Sequence, residues 1–196
     1  EPNDILFIDE IHRMNHLIEE VLYPAMESRN LHLIIGKGPT AKSISLELPP
    51  FTLIAATTRI NLLSSPLRSR FGGTFTLDYY KIEDLEKIIR RSSQILNMPI
   101  TEEAIALLSQ VSRFTPRVAN RLLKRCRDYS QVNNKKNIDA ETVAQTLFLL
   151  EIDSIGLERT DRKLLETIID KFKGGPVGLK TIAAAVPTPG TLPSAI

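Results

Sequence analysis

Two short apolar runs without alternation stand out in the early part of the chain. Asp4-Ile5-Leu6-Phe7-Ile8 leads straight into Asp9 and Glu10, and Phe51-Thr52-Leu53-Ile54-Ala55-Ala56 leads into Thr57, Thr58 and Arg59. Such runs predict strands buried on both faces, as in a parallel α/β sheet. Between them the pattern changes twice. Ile18, Val21, Leu22, Ala25 and Met26 recur at helical spacing, which predicts a helix from a cap at Asn15 to about Ser28, kinked or restarted at Pro24. Leu31 to Ile35 and Ser43 to Leu48 then alternate apolar and polar, the second strictly. This predicts a β-hairpin with one wet face and a polar tip at Gly36-Lys37-Gly38-Pro39, ended by Pro49-Pro50. Ser65-Pro66 reads as a helix start, with a capping hydroxyl and a proline in the first turn.

From about Lys81 to Leu150 the period is helical throughout. Helices are predicted over Asp84 to Leu96, Thr101 to Val111, Pro116 to Val132 and Asp139 to Leu149. Thr115-Pro116 and Asp139 read as clear caps. Thr101 is only half a capping box, because Ala104 stands where Glu or Gln belongs. Asp153 to Leu157 reads as a linker. Thr160 to Phe172 and Lys180 to Val186 predict two more helices around Gly174-Gly175-Pro176, a helix-turn-helix pattern. Pro187 to Ile196 holds three prolines and reads as poorly structured.

Composition narrows the class. The chain has 196 residues, 42% hydrophobic and 24% charged, as in ordinary globular proteins. With 25 basic and 23 acidic residues the net charge is +2, so overall charge does not decide for or against nucleic acid. The single cysteine, Cys126, excludes an internal disulfide and fits a reducing compartment and a core position. No apolar run reaches the length of a membrane span.

The candidate chemistry sits where the predicted strands end. Ligands of parallel α/β sheets bind beyond the carboxyl ends of the strands. A nucleotide hydrolase needs one carboxylate for Mg²⁺ and a second group to position the attacking water. Asp9 and Glu10 match that Walker B pattern; an ordinary solvated loop is the competing reading. Thr57 and Thr58 reach the same crevice if the two strands are neighbours, although hydroxyls are common in plain turns. Arg68 and Arg70 flank Ser69 near a short helix. A guanidinium there can stabilise charge on a transferring phosphoryl group, even from a neighbouring subunit; a surface ion pair is the alternative. Arg117 falls in the first turn of its helix, against the macrodipole, and makes sense if an anion sits between them. The later cations Arg121, Lys124, Arg125 and Arg127 read as a solvated face. Two signals fail. Gly174 to Thr181 resembles a P-loop, but Leu179 separates Gly178 from Lys180 and no strand precedes it. His12 and His16 are four apart without the carboxylate arrangement of a zinc helix. No G-x-x-x-x-G-K-[ST] sequence occurs.

Taken in order, Asp9-Glu10-Ile11-His12-Arg13, the Gly36 hairpin, the Thr-ended strand, Ser65-Pro66-Leu67-Arg68-Ser69-Arg70-Phe71-Gly72, Thr115-Pro116-Arg117 and the helix-turn-helix resemble the RuvB family of AAA+ ATPases, bacterial motors of Holliday-junction branch migration. The resemblance implies part of an AAA+ parallel α/β domain (residues 1–76), an all-helical lid (77–150) and a partial winged-helix DNA-binding head (151–196). It implies an ATP-dependent DNA helicase acting in recombination and repair in the bacterial cytoplasm, as a homo-hexameric ring without membrane contact. Asp9 would hold Mg²⁺, Glu10 would activate water, Thr58 would be the sensor at the strand end, and Arg70 the arginine finger. ATP or ADP would further be held by Glu27, Ser28, Arg29, Tyr80 and Arg117. The hairpin, through Leu31, Ile35, Lys37, Ile44 and Leu46, would bind the junction-recognising partner RuvA, with the RuvC resolvase in the wider complex and Holliday-junction or duplex DNA as substrate.

Three departures accompany the resemblance. The P-loop is expected to be absent, so that these residues alone would hold ATP poorly. Phe114 replaces the family's glycine before Thr-Pro-Arg. Pro187 to Ile196 departs from the family and the wing is missing. A clamp-loader-type AAA+ subunit is one alternative, although its Ser-Arg-Cys motif is not seen; a catalytically silent AAA+ binding module is the other.

Overall fold

The computed structural model describes residues 1–36 and 42–186. Two compact units divide the chain, Glu1–Thr76 and Leu77–Ile196. In the first, strand β1 (Asp4–Ile8) leads through a tight 3-10 turn at Ile11–Arg13 into helix α1 (His16–Ser28). Strands β2 (Asn30–Ile35) and β3 (Lys42–Glu47) follow, then β4 (Phe51–Ala55) and the short helix α2 (Ser65–Ser69). β1 and β4 pair in parallel, with Asp4 beside Phe51 and Ile8 beside Ala55. β2 and β3 form the antiparallel hairpin, with Leu31 opposite Leu46 and Leu33 opposite Ile44. Its tip, including Lys37, lies outside the described residues.

Three expectations for this unit change. β1 is not buried on both faces: Ile5 is 66% exposed and Phe7 58%. Among the described residues β1 pairs only with β4, whose residues alternate between half-buried and exposed, so the pair is covered at most on one side. Helix α1 runs unbroken through Pro24. The ring removes one helical bond, but the buried Ala25 beside it and the packing of α1 on β2 hold the helix together. The cap of α2 is Ser64 rather than Ser65; its hydroxyl accepts from the Leu67 N–H at 3.3 Å.

The second unit is helical: α3 (Ile82–Ile95), α4 (Glu102–Val111), α5 (Pro116–Val132), α6 (Ala140–Leu149), α7 (Arg159–Phe172) and α8 (Leu179–Ala185). Apolar stripes at helical spacing converge on one core, with Leu85, Ile89, Ile105, Leu108, Leu122, Leu123, Cys126 and Val143 fully buried. Each such aliphatic side chain contributes about 1.5–3 kcal/mol relative to exposure. Thr101 and Asp139 cap their helices, accepting from Ala104 N–H at 3.3 Å and Thr142 N–H at 2.7 Å. Thr115 does not: its hydroxyl donates to the Ser112 carbonyl at 3.0 Å and so is turned away from its own helix.

Asp153 to Leu157 is a fixed turn rather than a loose linker. The Asp153 carboxylate accepts from the Ile155 and Leu157 N–H groups at 3.1 and 2.9 Å. Gly156 has φ +84°, and a Cβ there would lie 2.4 Å from the Val111 carbonyl oxygen, so only glycine fits. Arg113 pairs with Asp161 at 2.9 Å and Arg121 with Glu158 at 2.6 Å, tying the start of α7 to the α4–α5 turn and to α5. Residues 187–196 lie outside the described residues.

Candidate functional site

The parallel register of β1 and β4 brings their carboxyl ends side by side. The Ala56 N–H donates to the Ile8 carbonyl at 2.9 Å, and the Ile11 N–H donates to the Ala56 carbonyl at 3.1 Å. These bonds stitch the Asp9–Glu10 turn to the Thr57–Thr58 turn. Glu10 adopts φ 50° and ψ 46°, a left-handed conformation that a non-glycine residue keeps only where its surroundings enforce it. Its carboxylate is thereby aimed across the strands. Thr58 donates its hydroxyl proton to Glu10 Oε2 at 3.1 Å. Asp9 Oδ1 accepts from the Glu10 N–H at 2.9 Å.

His12 completes this cluster. Its Nδ1 lies 2.8 Å from Thr57 Oγ1 and 3.1 Å from Glu10 Oε2, and its side chain is only 8% exposed. Thr57 Oγ1 in turn accepts from the Arg59 N–H at 3.0 Å. Sequence reasoning weighed His12 only as a metal ligand and missed this role. Its position inside the turn after paired acids was the available signal.

Arg70 follows α2 and returns to α1. Its Nη2 is 2.9 Å from Glu27 Oε1, its Nη1 donates to the Pro66 carbonyl at 2.7 Å, and its guanidinium carbon lies 4.5 Å above the Tyr23 ring. Glu27, Ser28 and Arg29 share an open cleft with Glu47, Leu48, Pro49 and Pro50. Arg29 closes α1 in the left-handed region, φ 57°. On the hairpin, Leu33, Ile44 and Leu46 are exposed, and the Leu31–Leu46 and Leu33–Ile44 pairs form one apolar ladder. Leu33 belongs with the residues expected there. Ile35 pairs through its backbone with Lys42.

In the second unit, Arg117 is exposed in the first turn of α5 and makes no ion pair among the described residues. Tyr80 donates its backbone N–H to the Phe114 carbonyl at 3.2 Å. Phe114 has φ 56° and is about half exposed, so the position favours glycine.

Mg²⁺ prefers hard oxygen donors and usually takes only one or two protein carboxylates beside phosphates and water. Asp9 fits that role. It is exposed, and one of its oxygens makes no hydrogen bond among the described residues. No group of three or more His, Cys, Asp or Glu side chains that could hold a metal ion forms among the described residues.

A parallel strand pair whose ends gather a carboxylate pair and a hydroxyl, followed by a helical unit with an arginine at a helix start, fits the class of AAA+ proteins. Residues 1–77 match the family model of the Holliday junction DNA helicase RuvB P-loop domain, 80–153 the RuvB AAA lid domain and 154–191 the RuvB C-terminal winged helix domain. The solved structure of the Thermotoga maritima RuvB Holliday junction branch migration motor is 44% identical, with TM-score 0.79 over 94% of this chain and 57% of that one. A point mutant of the same Thermotoga protein is 43% identical, with TM-score 0.81 over 94% of this chain and 58% of that one. The chain belongs to the RuvB family.

Two expectations are corrected by these matches. The first unit matches the model of the P-loop domain, so the expectation that the P-loop is absent is not borne out by the family match, although residues 1–196 spell no Walker A sequence. The winged-helix match also runs to residue 191, into the segment expected to depart from the family. The chain spans 57–58% of the length of the Thermotoga RuvB chains it matches.

Proposed function

We propose that this chain is the motor subunit of a RuvB-type helicase, which uses ATP hydrolysis to drive branch migration of Holliday junctions in recombination and repair. The observation that carries the reading is the contact between Glu10 and Thr58 at the joint rim of β1 and β4. In this reading water attacks the γ-phosphorus in line, Glu10 takes the water proton, and ADP leaves with the bridging oxygen. Asp9 would hold Mg²⁺, which would neutralise charge on the phosphate oxygens. Thr58 has one hydroxyl proton. Donating it to a γ-phosphate oxygen means releasing Glu10, so nucleotide arrival is felt by the base. Arg70 serves the nucleotide of the next subunit in a homo-hexameric ring; Glu27, Ser28, Arg29, Tyr80 and Arg117 supply further nucleotide contacts.

The rest of the assignment follows the family. Residues 1–76, 77–150 and 151–196 are the ATPase, lid and winged-helix parts, the last directed to junction or duplex DNA. The apolar ladder of the hairpin binds RuvA, with RuvC in the wider complex, in the bacterial cytoplasm. No helix among the described residues is long and apolar enough to cross a membrane.

Glu10→Gln in the complete protein tests the central claim. It should retain nucleotide binding and lose turnover by at least a hundredfold, since general-base catalysis contributes about 10²–10⁴-fold; full turnover refutes the role. Leu46→Asp tests the hairpin. It should weaken RuvA binding and spare basal ATPase activity; unchanged RuvA binding removes this surface from the proposal.

A further inference from the structure

One face of α1 carries three residues at successive i, i+4 positions: Glu19, Tyr23 and Glu27. All three engage the segment that bears Arg70. The Tyr23 hydroxyl donates to Glu19 Oε2 at 3.1 Å and lies 3.1 Å from Ser64 Oγ. Ser64 Oγ donates to the same Glu19 oxygen at 2.8 Å and also caps α2. Above this anchor the Tyr23 ring faces the Arg70 guanidinium at 4.5 Å, and Glu27 takes Nη2 at 2.9 Å.

Glu19 is only 7% exposed. A carboxylate is costly to bury unless hydrogen bonds satisfy it. Apolar side chains would join α1 to α2 without that cost. What the polar set supplies is direction: two hydroxyls converge on one oxygen, and this fixes the plane and height of the Tyr23 ring. A planar guanidinium resting on a fixed ring is restrained along its stacking axis. Glu27 and the Pro66 carbonyl then fix its rotation within that plane.

We propose that Tyr23, anchored by Glu19 and Ser64, is a positioning residue that presents Arg70 to the nucleotide of a neighbouring subunit. The inference rests on the reading of Arg70 as a group acting between subunits and deepens it. Tyr23 itself does not touch the nucleotide. Its loss therefore lowers turnover in the neighbour and leaves the site of its own subunit intact. A role in folding alone has no such direction.

The test uses Tyr23→Leu, Tyr23→Phe, Arg70→Ala and Glu10→Gln in the complete protein, with thermal melts to follow folding. Tyr23→Leu should lower kcat for ATP at least tenfold with KM changed less than twofold. Tyr23→Phe keeps the ring but loses the anchor, and should lower kcat at least twofold. Mixing Tyr23→Leu with Glu10→Gln subunits should restore activity above that of either variant alone. The Glu10→Gln subunits supply a well-placed arginine, and the Tyr23→Leu subunits supply an intact site. Absence of restoration in a folded Tyr23→Leu overturns the proposal. If Tyr23→Leu does not fold, Tyr23→Phe decides, and a wild-type kcat overturns the proposal. Arg70→Ala separates the two levels. Full turnover in that variant defeats the reading of Arg70 itself. Loss that mixing restores for Arg70→Ala but not for Tyr23→Leu defeats only the role of Tyr23.

Discussion

Thr58 donates its hydroxyl proton to Glu10 Oε2 across 3.1 Å, although 48 positions separate the two residues in the chain. The same carboxylate oxygen lies 3.1 Å from Nδ1 of His12. Two side chains thus flank the proposed base. One has to leave it when a phosphate claims its proton; the other is buried and stays.

That asymmetry makes His12 the lasting support of Glu10. His12→Phe should reduce kcat several-fold, as expected for loss of the hydrogen bond to Thr57 Oγ1, worth about 0.5–1.5 kcal/mol, and of the polar contact beside Glu10. Nucleotide affinity should change little. His12→Asn places an amide N–H near the position of Nδ1 and should recover part of the loss. Steady-state ATPase assays beside nucleotide titrations check this, and equal rates for His12→Phe and wild type would refute it.

Phe114 holds a left-handed conformation, φ 56°, with its side chain about half exposed. A non-glycine residue there costs about 1–2 kcal/mol, part of which glycine gives back as unfolded-chain entropy. Phe114→Gly should therefore stabilise the second unit by up to about 1 kcal/mol. Urea denaturation followed by circular dichroism measures it; a lower midpoint would show that the ring's packing outweighs the backbone strain.

Burial in the helical core pushes the Cys126 thiol up to about 11, with a hydrogen bond to Thr146 acting in the opposite direction. The folded state therefore holds this proton more tightly than the unfolded chain, whose thiol titrates near about 8.5. This contribution to stability is complete below that value and is lost as the pH rises toward the folded value. Chemical denaturation between pH 8 and 10.5 should show the decline, and Cys126→Ala should flatten it. The same burial predicts thiol-reagent labelling only after unfolding.

Asp153 titrates below its ordinary value because the Leu157 N–H donates to its carboxylate, helped by Ile155 N–H and the nearby Arg162. A depressed carboxyl contributes stability above the unfolded value, about 3.9, and loses it as pH falls through the lower folded value. Acid titration of thermal stability should show this loss, and Asp153→Asn should lack that component. An unchanged acid profile in the variant would mean that the turn tolerates protonation.

Much of the secondary structure was legible because it is written locally. Helix α5 was expected over Pro116 to Val132 and has those bounds. The hairpin strands, the Asn15 cap and the helix-turn-helix pair follow equally from spacing and turn residues. Misreadings fell where a local rule met a tertiary contact. Thr115 has a good capping residue type, yet its hydroxyl is drawn to Ser112. Pro24 does not break α1, because packing holds the helix on both sides of it. Asp153 to Leu157 has the composition of a linker, but one carboxylate and one glycine close it into a turn.

The sequence by itself determined which residues can do chemistry, because side-chain type and local period reside in neighbouring positions. It supplied the acids at 9 and 10, the hydroxyls at 57 and 58, the arginines at 70 and 117, and the elements that carry them. Only the tertiary structure decided which of these meet. The parallel register of β1 with β4 sets Thr58 on Glu10, the turn beyond β1 folds His12 beneath them, and the approach of α2 to α1 lays Arg70 on Tyr23. Those pairings join positions some 40 to 50 apart in the chain, and no local pattern encodes contacts at that distance. They arise when backbone hydrogen bonding and burial bring the elements together.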